Sequence, residues 1–212
     1  MEKQKMSPFR KLIGICCLLG GLTCIAIPVA TEWRHMQEVN ELEEAISMVA
    51  ASQESNVDTI ETEADGFSAT ELQEIMELEI PSLDLKQYVL NETTPENLNL
   101  ALTQIKEKQV PGKGNFTIAG HRGYRDGRHF SNLDEVADDE LIYLHAGENT
   151  YIYKVTSKET IEATDVHVLE DNGVSSEITL ITCTPSGKKR IAVKGELIDE
   201  VSKLKKIEEP LS

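Results

Sequence analysis

The sequence predicts a mainly β domain, its sheet mainly antiparallel and closed or nearly closed into a barrel, set behind an N-terminal membrane-spanning helix and a stalk. Three observations carry this. Short apolar or β-branched runs recur from Phe116 to Leu197, separated by turn residues and by no long helical pattern. An uncharged run, Leu12 to Ala30, stands near the N-terminus, and a segment rich in Glu, Ser, Thr and Ala separates it from the β-rich region. The 212 residues suffice for one domain of ordinary size plus an appendage.

The run LIGICCLLGGLTCIAIPVA, residues 12–30, has about the length that a helix rising 1.5 Å per residue needs to cross the hydrocarbon core. A cleaved signal peptide is the competing reading. Its apolar core is usually only about 7 to 15 residues and ends at an A-x-A-like site, whereas this run ends Pro28-Val29-Ala30, so the length favours a retained anchor. Lys3, Lys5, Arg10 and Lys11 precede the run against the single acid Glu2, which holds residues 1–11 in the cytoplasm and places the remaining chain outside.

The whole chain carries a formal charge of −16, and the part beyond the span is more acidic still, because four of the cations precede it. Phosphate contact depends on cationic charge, so nucleic-acid binding is excluded as a function class. A solvated acidic surface is the simplest reading, with a cationic partner or cell-wall cations as alternatives.

Residues 31–78 form the stalk. Within it Met36, Val39, Leu42, Ile46 and Val49 recur at helical spacing. A second helical piece starts at Ser68-Ala69-Thr70-Glu71, which has the form of a capping box and leads into Leu72, Ile75 and Met76. The alternation of Glu79 to Leu85 predicts a strand, with Pro81 at an edge or a strand start. Thr94-Pro95-Glu96 supplies an N-cap and a first-turn proline for a helix carrying Leu98, Ala101, Leu102 and Ile105.

Further strands are predicted over Phe116 to Gly120, Leu141 to His145, Tyr151 to Thr156, Val166 to Leu169, Ile178 to Thr182 and Arg190 to Leu197. In the tail, 199–212, Val201, Leu204 and Ile207 are spaced as on a short helix, and no second span follows.

The cysteines sharpen the question of chemistry. Cys16, Cys17 and Cys24 lie in the apolar run, as small packing groups or, less simply, acylation sites. Cys183 stands alone beyond it, so an internal disulfide is excluded there. The thiol is paired between molecules, inertly buried, or kept for its reactivity.

Cys183 ends the run Ile178 to Thr182 and precedes a turn with Pro185 and Gly187, after which Arg190 opens the next strand. A tight hairpin closed this way brings Cys183 and Arg190 together at one end of adjacent strands. Of the five histidines, His121 ends a strand between Gly120 and Gly123, His129 follows in the loop as its local competitor, His145 and His167 lie in strand patterns, and His35 is in the stalk.

Cys, His and Arg together supply what acyl transfer through a thioester needs. The thiolate is the nucleophile, a guanidinium stabilises it and a developing oxyanion, and an imidazole passes the proton to the leaving amine. A small apolar cysteine and a surface arginine beside Lys188 and Lys189 remain the plainer readings of those residues taken singly.

Thr179-Leu180-Ile181-Thr182-Cys183 resembles the TLxTC signature of sortases, the membrane-anchored cysteine transpeptidases of Gram-positive cell surfaces. Ala119-Gly120-His121 resembles their catalytic-histidine segment, and Arg190 fits the arginine on the strand after the cysteine. The likeness runs over roughly residues 79–198, including Glu79 to Leu83 and Phe130-Ser131-Asn132-Leu133.

The resemblance implies an eight-stranded β-barrel in which Cys183 cleaves an LPxTG-like sorting signal between Thr and Gly, and an amine of a peptidoglycan precursor such as lipid II resolves the acyl-enzyme. It implies Cys183 as nucleophile, His121 as general acid and base, Arg190 as the stabiliser of oxyanion or substrate, and Thr182 as an aid to that geometry. The single anchor resembles class A, whereas Thr182-Cys183-Thr184-Pro185 and His121-Arg122-Gly123 also resemble pilin-polymerising class C enzymes, whose Asp-Pro-aromatic lid motif the chain lacks. A membrane-tethered β-barrel binding module with an inert Cys183 is the reading from a different class.

Some class A members bind calcium through acidic residues before the histidine strand. The corresponding segment, Lys106 to Lys113, lacks several hard oxygen donors, and Glu170 and Asp171 read as a solvated turn, so no metal and no cofactor are expected.

Overall fold

The computed structural model describes residues 8–54, 69–123 and 128–202. The chain divides into two compact units, Met1–Glu44 and Ala45–Ser212. The first is helical. Helix α1, Pro8–Glu54, opens on a proline, whose missing N–H costs nothing in a first turn, and continues through Pro28 and the stripe from Met36 to Val49. Ile15, Leu18, Leu22 and Ile25 are all more than half exposed on it. It is the one helix among the described residues long and apolar enough to cross a membrane, with a mean hydropathy of 2.0 over its apolar window.

In the second unit a short helix α2, Ala69–Gln73, precedes eight strands: β1 Met76–Ile80, β2 Leu85–Leu90, β3 Leu102–Gln104, β4 Asn115–Ala119, β5 Leu141–Ala146, β6 Asn149–Glu162, β7 Glu177–Cys183 and β8 Lys189–Ser202. They close into a barrel in the order β1-β2-β3-β4-β7-β8-β6-β5. The expected class and strand number are both observed. Leu78, Ile80, Phe116, Ile118, Phe130, Leu144, Tyr153, Ile178 and Leu180 fill the interior with no exposed surface, each contributing about 1.5–3 kcal/mol by burial. The Tyr153 hydroxyl accepts the Gly112 N–H at 3.0 Å, and burial pushes its pKa up to about 12.

Several elements depart from the sequence expectations, each for a local reason. The segment from Glu79 to Leu85 is two strands joined by a 3-10 turn, Pro81–Leu83, with Asp84 left-handed at φ 49°. Pro81 cannot donate to a ladder, so it turns the chain, and Ile80 pairs with Leu85. Strand β1 starts at Met76, inside the segment read as stalk.

Helix α3, Pro95–Leu100, is capped as expected, the Thr94 hydroxyl accepting the Asn97 N–H at 3.0 Å. It stops before Leu102, which is buried in β3, because core packing overrides a weak helical pattern. Ile105 follows that strand.

The run from Val166 to Leu169 is not a strand but a 3-10 turn, His167–Leu169, lying on the outer face of the sheet. Val168 packs there on Ile161 and Ala192, while its carbonyl accepts Asn115 Nδ2 at 2.8 Å and Thr179 Oγ1 at 3.3 Å. Side chains thus take up the groups that a ladder would have used. The tail also differs: β8 continues as strand through Ser202, and Leu204 and Ile207 of the expected helix lie outside the described residues.

The sheet is mainly antiparallel, but β2–β3 and β4–β7 pair in parallel. The β4–β7 pairing is the one that builds the site.

Candidate active site

Strands β4 and β7 run side by side from Asn115↔Glu177 to Ala119↔Ile181. The pairing outlasts β4 by one residue: the Gly120 N–H donates to the Ile181 carbonyl at 3.1 Å, and the Thr182 hydroxyl donates to the Gly120 carbonyl at 2.9 Å. His121 and Cys183 are each two residues beyond the last ladder pair, so a parallel register brings them abreast at one end of the barrel. On the other side of Cys183, β8 runs antiparallel to β7 and ends its ladder on Cys183↔Arg190. The hairpin expected from the spacing is therefore formed. His121 just beyond β4, Cys183 at the end of β7 and Arg190 near the start of β8 thus lie at the same end of three adjacent strands.

Alternation along β7 decides which way each residue faces. Ile178 and Leu180 belong to the interior and Thr182 is 2% exposed, whereas Ile181 and Cys183 are half-buried on the outer face. The Thr182 side chain therefore faces inward and reaches the neighbouring strand end through the backbone of Gly120. Gly120 has a tight fit: a Cβ there would stand 2.4 Å from Leu102 Cδ2 and 2.7 Å from Phe130 Cδ2. Glycine is required by this approach of backbone to core, as its place before His121 suggests.

Arg190 is half-buried, its Nη1 donating to the carbonyls of Gly187 at 3.3 Å and Lys189 at 3.1 Å. These contacts fold the guanidinium onto its own turn, which Gly187 closes at φ +72° with its N–H donated to Thr184 O at 2.8 Å. Among the described residues no carboxylate forms an ion pair with Arg190.

The two histidines that compete in the sequence part company in the structure. His121 is exposed, whereas His129 is 5% exposed, at φ +48°. Their rings meet edge to face, with centroids 6.5 Å apart at 84°. Burial first, then the charges of Arg128 and His121, lowers the His129 pKa to about 4. The two segments that carry them are tied by an Arg122↔His129 bridge, by the Phe130 N–H donated to His121 O at 3.1 Å, and by an Arg122 Nη2 to Asp134 Oδ1 pair at 2.9 Å. The sequence gives no periodic signal for these ties, because they join residues outside the eight strands.

The other histidines lie elsewhere. His35 is on α1. His145 is on β5, with Thr150 Oγ1 at 2.9 Å from its Nδ1, and His167 is on the 3-10 turn against Asp165, whose carboxylate raises its pKa. Among the described residues, Glu77, Glu79 and His145 bring possible metal donors within 4.8 Å of one another, but Lys86 Nζ already lies 3.0 Å from Glu77 Oε1. Asp171 accepts the Gly173 N–H at 2.9 Å, as a turn residue does.

Comparison with known proteins agrees with the fold. Residues 78–198, more than half of the chain, match the model of the sortase domain. The sortase A of Bacillus anthracis is 38% identical over 133 residues, 62% of this chain and 63% of that protein. The sortase A of Listeria monocytogenes is 39% identical over 130 residues, 60% of this chain and 57% of that protein. The match thus spans about three-fifths of the length of these relatives. The solved structure of Listeria monocytogenes sortase A superposes with a TM-score of 0.58 at 33% identity, covering 61% of this chain and 90% of that one.

Proposed function

The chain belongs to the sortase family, and from that premise we propose that it is a membrane-anchored cysteine transpeptidase of the class A kind. The observation that carries the reading is the register of three strands, which sets Cys183 between His121 and Arg190. In the first step Cys183 Sγ attacks the carbonyl carbon of Thr in an LPxTG-like signal. The Thr–Gly C–N bond breaks, a thioester forms, and His121 delivers to the leaving glycine nitrogen the proton that the thiol gave up.

In the second step an amine of a cell-wall precursor attacks the thioester. The C–S bond breaks, the amide forms, and a proton from the amine returns to sulfur by way of His121. Arg190 donates hydrogen bonds to the tetrahedral oxyanion of both steps, which requires its Nη1 to leave the turn carbonyls or its remaining N–H groups to serve. Thr182 supports both steps by holding Gly120, and with it the backbone that enters His121.

Four features of the chain set this chemistry at a membrane surface. Residues 12–30 anchor it in a single pass, residues 1–11 remain cytoplasmic, residues 31–75 act as a spacer, and the barrel, which begins with β1 at Met76, works outside the cell on surface proteins and a lipid II amine. The test is mass spectrometry of the full chain in detergent with an LPxTG peptide, with and without oligoglycine, beside Cys183→Ala. An acyl adduct on Cys183 that the amine converts to ligated peptide is the expected result. Absence of adduct and product with the wild-type chain would favour a binding module.

A further inference from the structure

His129 has no part in the chemistry above, yet it occupies a costly position. Its ring is almost wholly buried, its Nδ1 has no hydrogen-bond partner among the described residues, and its backbone is left-handed at φ +48°. A leucine or phenylalanine would fill the same space without burying an unpaired nitrogen, and left-handed backbone at a non-glycine residue is uncommon and clusters at functional sites. What the position provides is a ring edge to face with His121, the only ring contact that His121 makes among the described residues.

That contact matters because His121 is otherwise an exposed side chain at a strand end. A free imidazole there divides itself among the staggered χ1 wells, and only one of them is productive for any one geometry at Cys183. We propose that His129 is a positioning residue, whose buried ring holds the His121 imidazole in the orientation that serves Cys183. This rests on the reading of His121 as the proton carrier. The Arg122↔His129 bridge and the Phe130 to His121 hydrogen bond tie together the two backbone segments that carry the rings, so the contact is held by backbone on both sides. Because burial lowers the His129 pKa to about 4, its ring stays neutral near neutral pH and adds no repulsion when His121 takes up a proton.

The test compares His129→Ala, His129→Leu and His129→Phe with the wild type, as full chains in detergent micelles with isotope-labelled histidine. One readout is the set of χ1 couplings and ring-to-ring contacts of His121 by NMR, and the other is steady-state transfer of an LPxTG peptide to oligoglycine. In His129→Ala and His129→Leu the His121 couplings are expected to average, and kcat to fall roughly 2- to 10-fold, the population shift that one aromatic pair sustains, with KM for the peptide unchanged. His129→Phe restores the ring and keeps kcat within about 2-fold of wild type by the same argument.

Wild-type couplings and wild-type kcat in the folded His129→Leu chain would overturn the proposal, and so would a change confined to KM or to the melting temperature. If His129→Ala does not fold, the leucine and phenylalanine chains decide the matter. A wild-type chain that transfers no peptide would remove the proposed function, and the NMR arm would still decide whether His129 orients His121.

Discussion

The Thr182 hydroxyl, buried beneath the outer face of the sheet, donates to the carbonyl of Gly120 at 2.9 Å, joining the residue before Cys183 to the residue before His121. The bond lies across the one parallel pairing on which the site depends. Thr182→Val keeps the shape and leaves the Gly120 carbonyl buried without this donor, at a cost of about 1–3 kcal/mol. We expect a lower midpoint in urea with an unchanged slope, and a fall in kcat. Thr182→Ser, which keeps the donor, should retain most of both.

Gly120 admits no side chain. A Cβ there would overlap Leu102 and Phe130, so Gly120→Ala must displace core side chains at about 1–3 kcal/mol. Denaturant unfolding should register that loss. The double variant with Leu102→Ala should recover part of it relative to Leu102→Ala alone, because the truncation opens the space the methyl needs.

Arg190 and Cys183 form the last pair of the β7–β8 ladder. If Arg190 stabilises the oxyanion, Arg190→Lys keeps the charge and loses the planar fork, and transfer should fall by about 10²-fold or more. Stability should change little, since among the described residues the Arg190 guanidinium donates only to carbonyls of its own turn. Transfer at the wild-type rate would assign the residue to the surface.

His129 makes stability depend on pH. Its pKa is about 4 in the folded state against 6.5 for the free side chain, so between those values the unfolded chain binds the extra proton. The contribution is complete above about pH 6.5 and is lost as pH falls toward 4, amounting to about 3 kcal/mol over the whole window. Denaturant midpoints of wild type should drop more steeply over this range than those of His129→Phe. Equal slopes would mean that His129 titrates normally.

Most of the candidate site's placement is legible in the sequence because its residues stand at strand ends marked by turn chemistry. Pro185 and Gly187 predict the hairpin, and the hairpin predicts the pairing of Cys183 with Arg190, since short-range register follows from loop length. The strands β4, β5, β7 and β8 lie where their apolar runs predict. The run Val166 to Leu169 was misleading because a few apolar residues suit a strand and a covering 3-10 turn equally, and Asn115 and Thr179, far away in the chain, settle it by capturing the Val168 carbonyl.

The sequence by itself determined the strands β4, β5, β7 and β8, the apolar helix and the proximity of Cys183 to Arg190, all of which follow from local periodicity and turn geometry. Only the tertiary structure decided that β4 lies parallel to β7 and so brings His121 abreast of Cys183. It also decided that His121 is exposed while His129 is buried against it. The reason is physical: a parallel pairing has no connecting turn to fix its register, and burial is set by which distant side chains close over a residue, so neither leaves a mark on the neighbouring sequence.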